Sequence, residues 1–189
     1  MTLSREAHLV ELVDESGVAC GQSTVADAHR APGLLHRAFS VFLQDPAGRL
    51  LLQRRAAGKT RFPLRWANAC CGHPAPGQPL LAAAGQRLDD ELTVTGVDLV
   101  EVGVHLYHAA DPATGLVERE WDHVLLGRVG TDIPLRPDPA EVAAVRWVSP
   151  DELRGELATR PAAFAPWLSG VLARLTPDKV PSPDPGHVK

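Results

Sequence analysis

Cys71 and His73 stand two residues apart in the stretch Trp66-Ala67-Asn68-Ala69-Cys70-Cys71-Gly72-His73-Pro74, with a glycine between them and a proline to stop the strand. On an extended backbone, side chains two apart project to the same side, so a thiol and an imidazole would share one surface. Gly72 allows close approach of the backbone to a neighbour, or a positive φ. A sulfur able to move a proton beside a nitrogen able to bind a metal is chemistry that a core seldom needs. The competing reading is a buried cysteine pair, since free cysteine is among the most buried residue types. Glu118-x-Glu120 has the same character: it lies in a segment of strand pattern, which puts both carboxylates on one face. Like charges so placed repel unless a cation or solvent relieves them, and a wet polar face is the competing reading. His29 and His36 form a third pair, and each alone reads as readily as a surface or capping histidine.

Together the pairs offer three imidazoles and two carboxylates. Five N/O ligands of that mix suit a roughly octahedral Mn2+ or Mg2+, with Zn2+ as an alternative. A structural zinc site would favour a closed four-ligand set richer in thiolate. A second group is basic. Arg55, Lys59 and Arg61, with Arg87 further on, could clamp a phosphate through charge-assisted hydrogen bonds, and for Arg61 a solvated loop side chain is the preferred reading. A third group is aromatic. The chain has one tyrosine and four tryptophans, so Tyr107, Trp121 and Trp167 are few enough to weigh as π faces for a cation, though most tryptophans are core.

The elements that must position these residues follow from pattern. Residues 9–13 are apolar and short, and Asp14-Glu15-Ser16-Gly17 ends them. Residues 37–44, rich in Phe and Val, read as a strand; Asp45-Pro46-Ala47-Gly48 turns the chain, and 49–55 return as the second strand of a β-hairpin. Residues 56–65 are basic and broken by Gly58 and Pro63, a loop, and 66–71 follow as another strand. A helix starts near Pro79, where proline suits the first turn. Leu80, Leu81, Ala84, Leu88 and Leu92 are its buried stripe, with Arg87 and Glu91 as a solvated i,i+4 pair on another face.

Strands over 97–107 and 116–129 flank the turn Asp111-Pro112-Ala113-Thr114-Gly115, and a strand over 141–148 follows the linker 134–139. Ser149-Pro150-Asp151-Glu152 is a capping box with proline at the first helical position. A last helix spans 162–175. The order predicts an α+β fold, an α/β/α sandwich whose mixed sheet is flanked by helices. The Pro-rich tail 176–189 reads as disordered, leaving 1–175 as a single domain.

Composition narrows the function. At 189 residues and 44% apolar, the chain suits one domain with a sizeable core. A net charge of −4 argues against general nucleic-acid binding. No run approaches the ~18 apolar residues of a membrane span, and Met1-Thr2-Leu3-Ser4-Arg5-Glu6 lacks the apolar core of a signal peptide. Three cysteines, two of them neighbours, make a poor disulfide framework and fit a reducing cytosol. These features predict a cytoplasmic protein with a small-molecule substrate, no nucleic-acid or membrane partner, and a monomeric or weakly dimeric state. Residues 1–28 could close over a site as a lid.

Cys71-Gly72-His73-Pro74, with His29 and His36 before it and Glu118-x-Glu120 after it, resembles the type I isopentenyl-diphosphate Δ-isomerases of the Nudix-fold superfamily. The likeness takes in Leu35-His36-Arg37-Ala38-Phe39-Ser40, Gln53-Arg54-Arg55-Ala56 and Ala163-Phe164-Ala165-Pro166-Trp167. It implies a Nudix-like fold and interconversion of two prenyl diphosphates, isopentenyl and dimethylallyl diphosphate. It implies a metal held by His29, His36, His73, Glu118 and Glu120, and a second Mg2+ bridging the diphosphate and Glu91. It further implies Cys71 and Glu120 as an acid/base pair on opposite faces of the substrate, Tyr107 as an aid to protonation and Trp167 as a shield for the cation. The clamp of Arg55, Lys59 and Arg87 then has a diphosphate to hold.

The reaction adds a proton to an alkene carbon and removes one from a neighbouring carbon through a tertiary carbocation, which demands a dry site and two opposed acid/base groups. A carboxylic acid polarised by a metal, Glu120, is the better proton donor to so weak a base, with Cys71 collecting; the division of roles stays open, since a metal also favours the carboxylate. The sequence departs from the Nudix box in a telling way. Gln78 stands where a Glu belongs, Gln86-Arg87 replaces Arg-Glu, Thr93 replaces the last Gly, and only Asp90 and Glu91 keep the acidic end. That favours an isomerase over a Nudix diphosphate hydrolase. Val25 stands where the family often has a lysine, which keeps a non-catalytic diphosphate- or metal-binding module as an alternative.

Overall fold

A computed structural model of the chain describes residues 5–176. After a single turn at Arg5–Ala7 come β1 (Leu9–Val13), β2 (Ala19–Thr24), α1 (Val25–Ala28), β3 (His36–Gln44), β4 (Leu50–Arg55), β5 (Trp66–Ala67) and β6 (Cys70–Gly72). There follow α2 (Leu80–Leu92), β7 (Leu99–Ala110), β8 (Val117–Arg128), β9 (Val142–Val148), α3 (Pro150–Thr159) and α4 (Leu168–Leu172). The strands form one mixed sheet. β3 is its hub, antiparallel to β6 and parallel to β8, and β7 extends the sheet beyond β8. β4 carries β5 and β9.

β3 reads Phe-Ser-Val-Phe-Leu with little alternation because both of its faces are covered. Phe42, with Leu50, Leu52, Val124 and Leu126, packs against Leu153 of α3 and Leu168 and Val171 of α4. Phe39, Val41 and Leu43, with Leu51 and Leu125, pack against Ala84, Leu88 and Leu92 of α2. The sheet thus lies between helical layers, the α+β sandwich expected. Ser149 and Glu152 close the anticipated capping box at the start of α3, each side chain bonding the other's backbone amide. At the end of α2, Thr93 takes a left-handed conformation with φ 57°, doing the work of the glycine usual at a helix C-terminus.

Several local expectations are corrected. β3 and β4 pair antiparallel across the expected turn, but the hairpin is short, with only Gln44 and Leu50 in register. Asp45 gathers the turn by accepting from the Arg49 amide and side chain, after which β3 turns to β6 and β8 while β4 turns to β5 and β9. Residues 66–71 are two short strands rather than one, because the Asn68 side chain donates to the carbonyls of Val41 and Cys70 between them. The last helix shrinks to α4: Ala165 donates its amide to the Trp66 carbonyl and Pro166 has no amide to give, so the chain is extended there. Leu81 lies at the start of α2 and is exposed, and Ala83 takes the buried place. Apart from Thr176, the tail for which disorder was expected lies outside the described residues.

Candidate active site

Sheet register builds the site. β3 pairs His36 with Glu120 of β8, and Ser40 with Cys71 of β6. β7 pairs Tyr107 with the same Glu120. Alternation then puts His36 and Ser40, and Glu118, Glu120 and Asp122, on one face. His29 comes in from the end of α1, whose cap Thr24 accepts the Asp27 amide, and His73 follows β6 directly. Gly72 is required for close approach rather than for a positive φ, since a Cβ there would stand 2.7 Å from the Phe39 ring. The three imidazoles form a triangle with centroids 4.7, 4.8 and 5.1 Å apart.

One ligand atom from each of His29, His36, His73, Glu118 and Glu120 lies within 4.8 Å of all the others. His36 Nδ1 sits 2.8 Å from the Leu34 carbonyl, which fixes the proton there. Its buried Nε2 makes no hydrogen bond and stands 3.6 Å from Glu120 Oε1. A backbone carbonyl behind a histidine is a usual way to aim the other nitrogen at a metal. His29 has acceptors at both nitrogens, the Val25 carbonyl at 2.7 Å and Glu118 Oε2 at 2.8 Å. Burial opposes a charge on His29, but Glu118 outweighs it and holds the pKa above the usual histidine value. Burial pushes His73 down to about 4, leaving a neutral ring whose Nε2 is 2.9 Å from Glu120 Oε1. Glu120 keeps its charge despite burial because the His36 and His73 rings hold its pKa well below the ordinary range. A buried ring nitrogen left without a hydrogen bond, beside two crowded carboxylates, fits a divalent cation.

His73, Glu118 and Glu120 of the cluster line a cavity of about 500 Å3 whose walls include Cys71, Tyr107, Trp167 and Lys59. Tyr107 donates its hydroxyl to Glu120 Oε2 at 2.6 Å. Burial first, and Glu120 next, push the phenol well above its usual pKa, so it stays a donor. The Cys71 thiol donates to Asn68 Oδ1 at 3.2 Å and lies 3.5 Å from Ser40 Oγ, whose own proton goes to Asp122 at 2.8 Å. Burial, with the nearby Asp122, pushes the thiol up to about 12. Cys70 faces the opposite core with Leu88 and Leu92. Trp167 is 3% exposed, stands edge-on to Phe62 and has the Arg55 guanidinium 5.5 Å from its ring. Arg55 is tied down by the carbonyls of Arg61 and Phe62, so it braces the 56–65 loop as well as facing the cavity.

At the other end of the cavity Lys59 and Arg87 both pair with Glu91 and with Glu141. This corrects the reading of Arg87 and Glu91 as a solvated pair. Glu91 is 1% exposed, accepts from Gln53 at 3.0 Å and is held by the loop folded over α2. Arg61 is likewise no solvated side chain: its Nε donates to Glu118 at 3.0 Å and its Nη1 reaches Glu6 at 3.2 Å. Burial pulls the Lys59 pKa below its usual value in spite of the two carboxylates. Trp121 takes no part in the cavity lining.

Glu141, Asn68, Ser40, Asp122 and Glu6 carry contacts at the site that reading the sequence did not foresee. Asp122 had a signal, since it continues the Glu118-x-Glu120 alternation by one step. Glu141 had none, because it reaches the site only through the fold.

Comparison with known proteins places the chain. The NUDIX domain family matches it over residues 34–168. The isopentenyl-diphosphate Δ-isomerase of Nocardia farcinica is 64% identical over 163 residues, 86% of this chain and 91% of the relative. The chain belongs to the isopentenyl-diphosphate Δ-isomerase family. A second member, from Streptomyces coelicolor, is 49% identical over 91% of this chain and 85% of its own length. Two solved structures share the fold. A Deinococcus radiodurans crystal structure superposes with a TM-score of 0.72 at 21% identity, over 89% of this chain and all of the other. A MutT protein from Methanosarcina mazei gives 0.57 at 13%, over 74% of this chain and 91% of the other. In this isomerase-family chain the fold common to Nudix proteins thus carries a His/Glu cluster on its sheet.

Proposed function

We propose that the chain interconverts isopentenyl and dimethylallyl diphosphate by protonation and deprotonation through a tertiary carbocation. The observation that carries this reading is the meeting in one cavity of Cys71, on β6, with the hydrogen-bonded pair of Tyr107, on β7, and Glu120, on β8. Relatives named for this isomerisation, up to 64% identical, support it.

In the proposed reaction His29, His36, His73, Glu118 and Glu120 hold Mn2+ or Mg2+, whose charge would make a carboxylic acid at Glu120 a stronger proton donor. Glu120 delivers a proton to the alkene carbon, with the Tyr107 hydroxyl steadying its other oxygen. Cys71, on the strand at the other side of β3, collects the proton lost from the neighbouring carbon as its thiolate; in the reverse direction the Cys71 thiol gives a proton and the Glu120 carboxylate takes one. The S–H form of Cys71 and the carboxylate form of Glu120 that the site favours are the pair's state in that reverse direction, with the thiol as donor. Trp167 offers a π face to the cation, and the closed walls keep out water that would trap it. Lys59, Arg87 and Arg55 grip the diphosphate, and Glu91, buried behind Lys59 and Arg87, would hold a second Mg2+ once those two cations turn to the substrate. Three free cysteines support a reducing, cytoplasmic setting.

The test is incubation of reduced, metal-loaded protein with isopentenyl diphosphate. Dimethylallyl diphosphate should accumulate to an equilibrium mixture without phosphate release. Release of phosphate would mark a hydrolase, and binding without conversion would mark a binding module; either outcome overturns the proposal.

A further inference from the structure

Asn68 is fully buried, and all of its hydrogen-bonding capacity at the site is assigned. Its Nδ2 donates to the carbonyls of Val41 at 3.1 Å and Cys70 at 2.7 Å. Two acceptors on that side leave no freedom to exchange oxygen for nitrogen, so the amide orientation follows from its partners. Oδ1 must therefore face the cavity wall, where it accepts the Cys71 thiol at 3.2 Å and the Trp167 indole Nε1–H at 3.1 Å. One oxygen atom thus holds both the sulfur assigned to proton transfer and the ring assigned to cation shielding. Those two residues lie almost a hundred positions apart in sequence and on different elements.

The other neighbour of the sulfur reinforces this arrangement. The Ser40 hydroxyl spends its proton on Asp122 Oδ2 at 2.8 Å, so toward Cys71 it presents lone pairs. With acceptors at both Asn68 and Ser40, the thiol proton is directed into the protein wall and a sulfur lone pair toward the cavity. A sulfur that already carries its proton cannot take a second, so in this state it is a proton donor whose direction Asn68 sets, and the Asn68 oxygen must release the S–H when that proton moves to substrate. We propose that Asn68 is a positioning residue that couples Cys71 to Trp167, setting the direction of the thiol and the seat of the indole through a single carbonyl oxygen. The proposal rests on the isomerase reading for its kinetic consequence, though not for its chemical one.

The test uses the full chain and two variants, Asn68→Ala and Trp167→Phe, with two readouts. Turnover of isopentenyl diphosphate should fall about 10- to 100-fold in kcat for Asn68→Ala, with KM changed less than about threefold, as for a misaligned reacting group rather than a lost binding contact. Alkylation of Cys71 by iodoacetamide, read by tandem mass spectrometry, should accelerate several-fold in Asn68→Ala while Cys70, beside it in sequence but in the opposite core, stays unreacted. General loosening would expose both cysteines and overturn the proposal. Should Asn68→Ala fail to fold, Trp167→Phe keeps a ring and removes only the donor to Asn68, and the Cys71 alkylation rate should still shift at least about twofold through the shared oxygen. A Cys71 rate unchanged in Trp167→Phe, or a kcat unchanged in folded Asn68→Ala while the wild type turns over, would overturn the coupling. Alkylation needs no substrate, so a wild type that converts no isopentenyl diphosphate would sink the isomerase reading and leave the coupling to stand or fall on Cys71 reactivity.

Discussion

Glu118 and Glu120 of β8 and His73 beside β6 reach the cavity from a sheet locked in register, with His36 of β3 behind them, whereas Lys59, Arg87 and Glu141 reach it from a loop, a helix and the residue before β9, with Glu91 behind them. The first group is aimed by backbone ladders and fixed tautomers, such as His36 held by the Leu34 carbonyl. The second is aimed by ion pairs among its own members, which can change partners when a diphosphate arrives. One end of the cavity is therefore preorganised and the other exchangeable. Substitutions should divide along the same line, into those that stop the chemistry and those that change binding.

The largest effect belongs to the preorganised end. Glu120→Gln should lower kcat by about 10³-fold, the scale of a lost acid/base group, and also weaken cation binding measured by titration. Retained activity would place the proton donor elsewhere. The pH response of Cys71 should be nearly as large. With the thiol pushed up to about 12, its thiolate fraction rises with pH throughout the accessible range. Alkylation should climb about tenfold per pH unit from 8 to 10, and a plateau below pH 10 would contradict a thiol buried and held by two acceptors.

At the exchangeable end Lys59→Ala should raise KM about 10- to 100-fold, the cost of one charge-assisted bond, with kcat within a few-fold. An equal fall in kcat would mean that Lys59 also aligns the alkene. Glu141→Gln should do the opposite and lower KM by a few-fold, because Glu141 occupies Lys59 and Arg87 and a diphosphate must displace it. That sign is the sharper test, since a carboxylate that merely positions the two cations would raise KM when removed.

The same division explains what the sequence disclosed. Glu118-x-Glu120, Cys71-x-His73 and the segment around His36 are legible because a strand repeats every two residues, and a chemical pair at that spacing must share a face. The central helix and the capping box of α3 were equally legible, being local. The exchangeable end was not. Glu141 reads from sequence only as the start of a strand, and it becomes part of the site because β9 pairs with β4 and delivers it to the 56–65 loop. Arg61 looked solvated because nothing local reveals that Glu118 and Glu6 close around it. Asn68 was hidden for a third reason: its role lies in interrupting a strand, and pattern reading ran one strand straight through it.

The central claim is that the His/Glu end and the thiol act together on an alkene. Its most direct measurement is solvent deuterium incorporation, followed by NMR, when metal-loaded protein equilibrates isopentenyl diphosphate in D2O. Deuterium should enter the methyl group formed at the former terminal alkene carbon, at a rate matching the appearance of dimethylallyl diphosphate, and should fail to enter with Cys71→Ala or Glu120→Gln. Conversion without deuterium uptake, or undiminished uptake in both variants, would contradict the account.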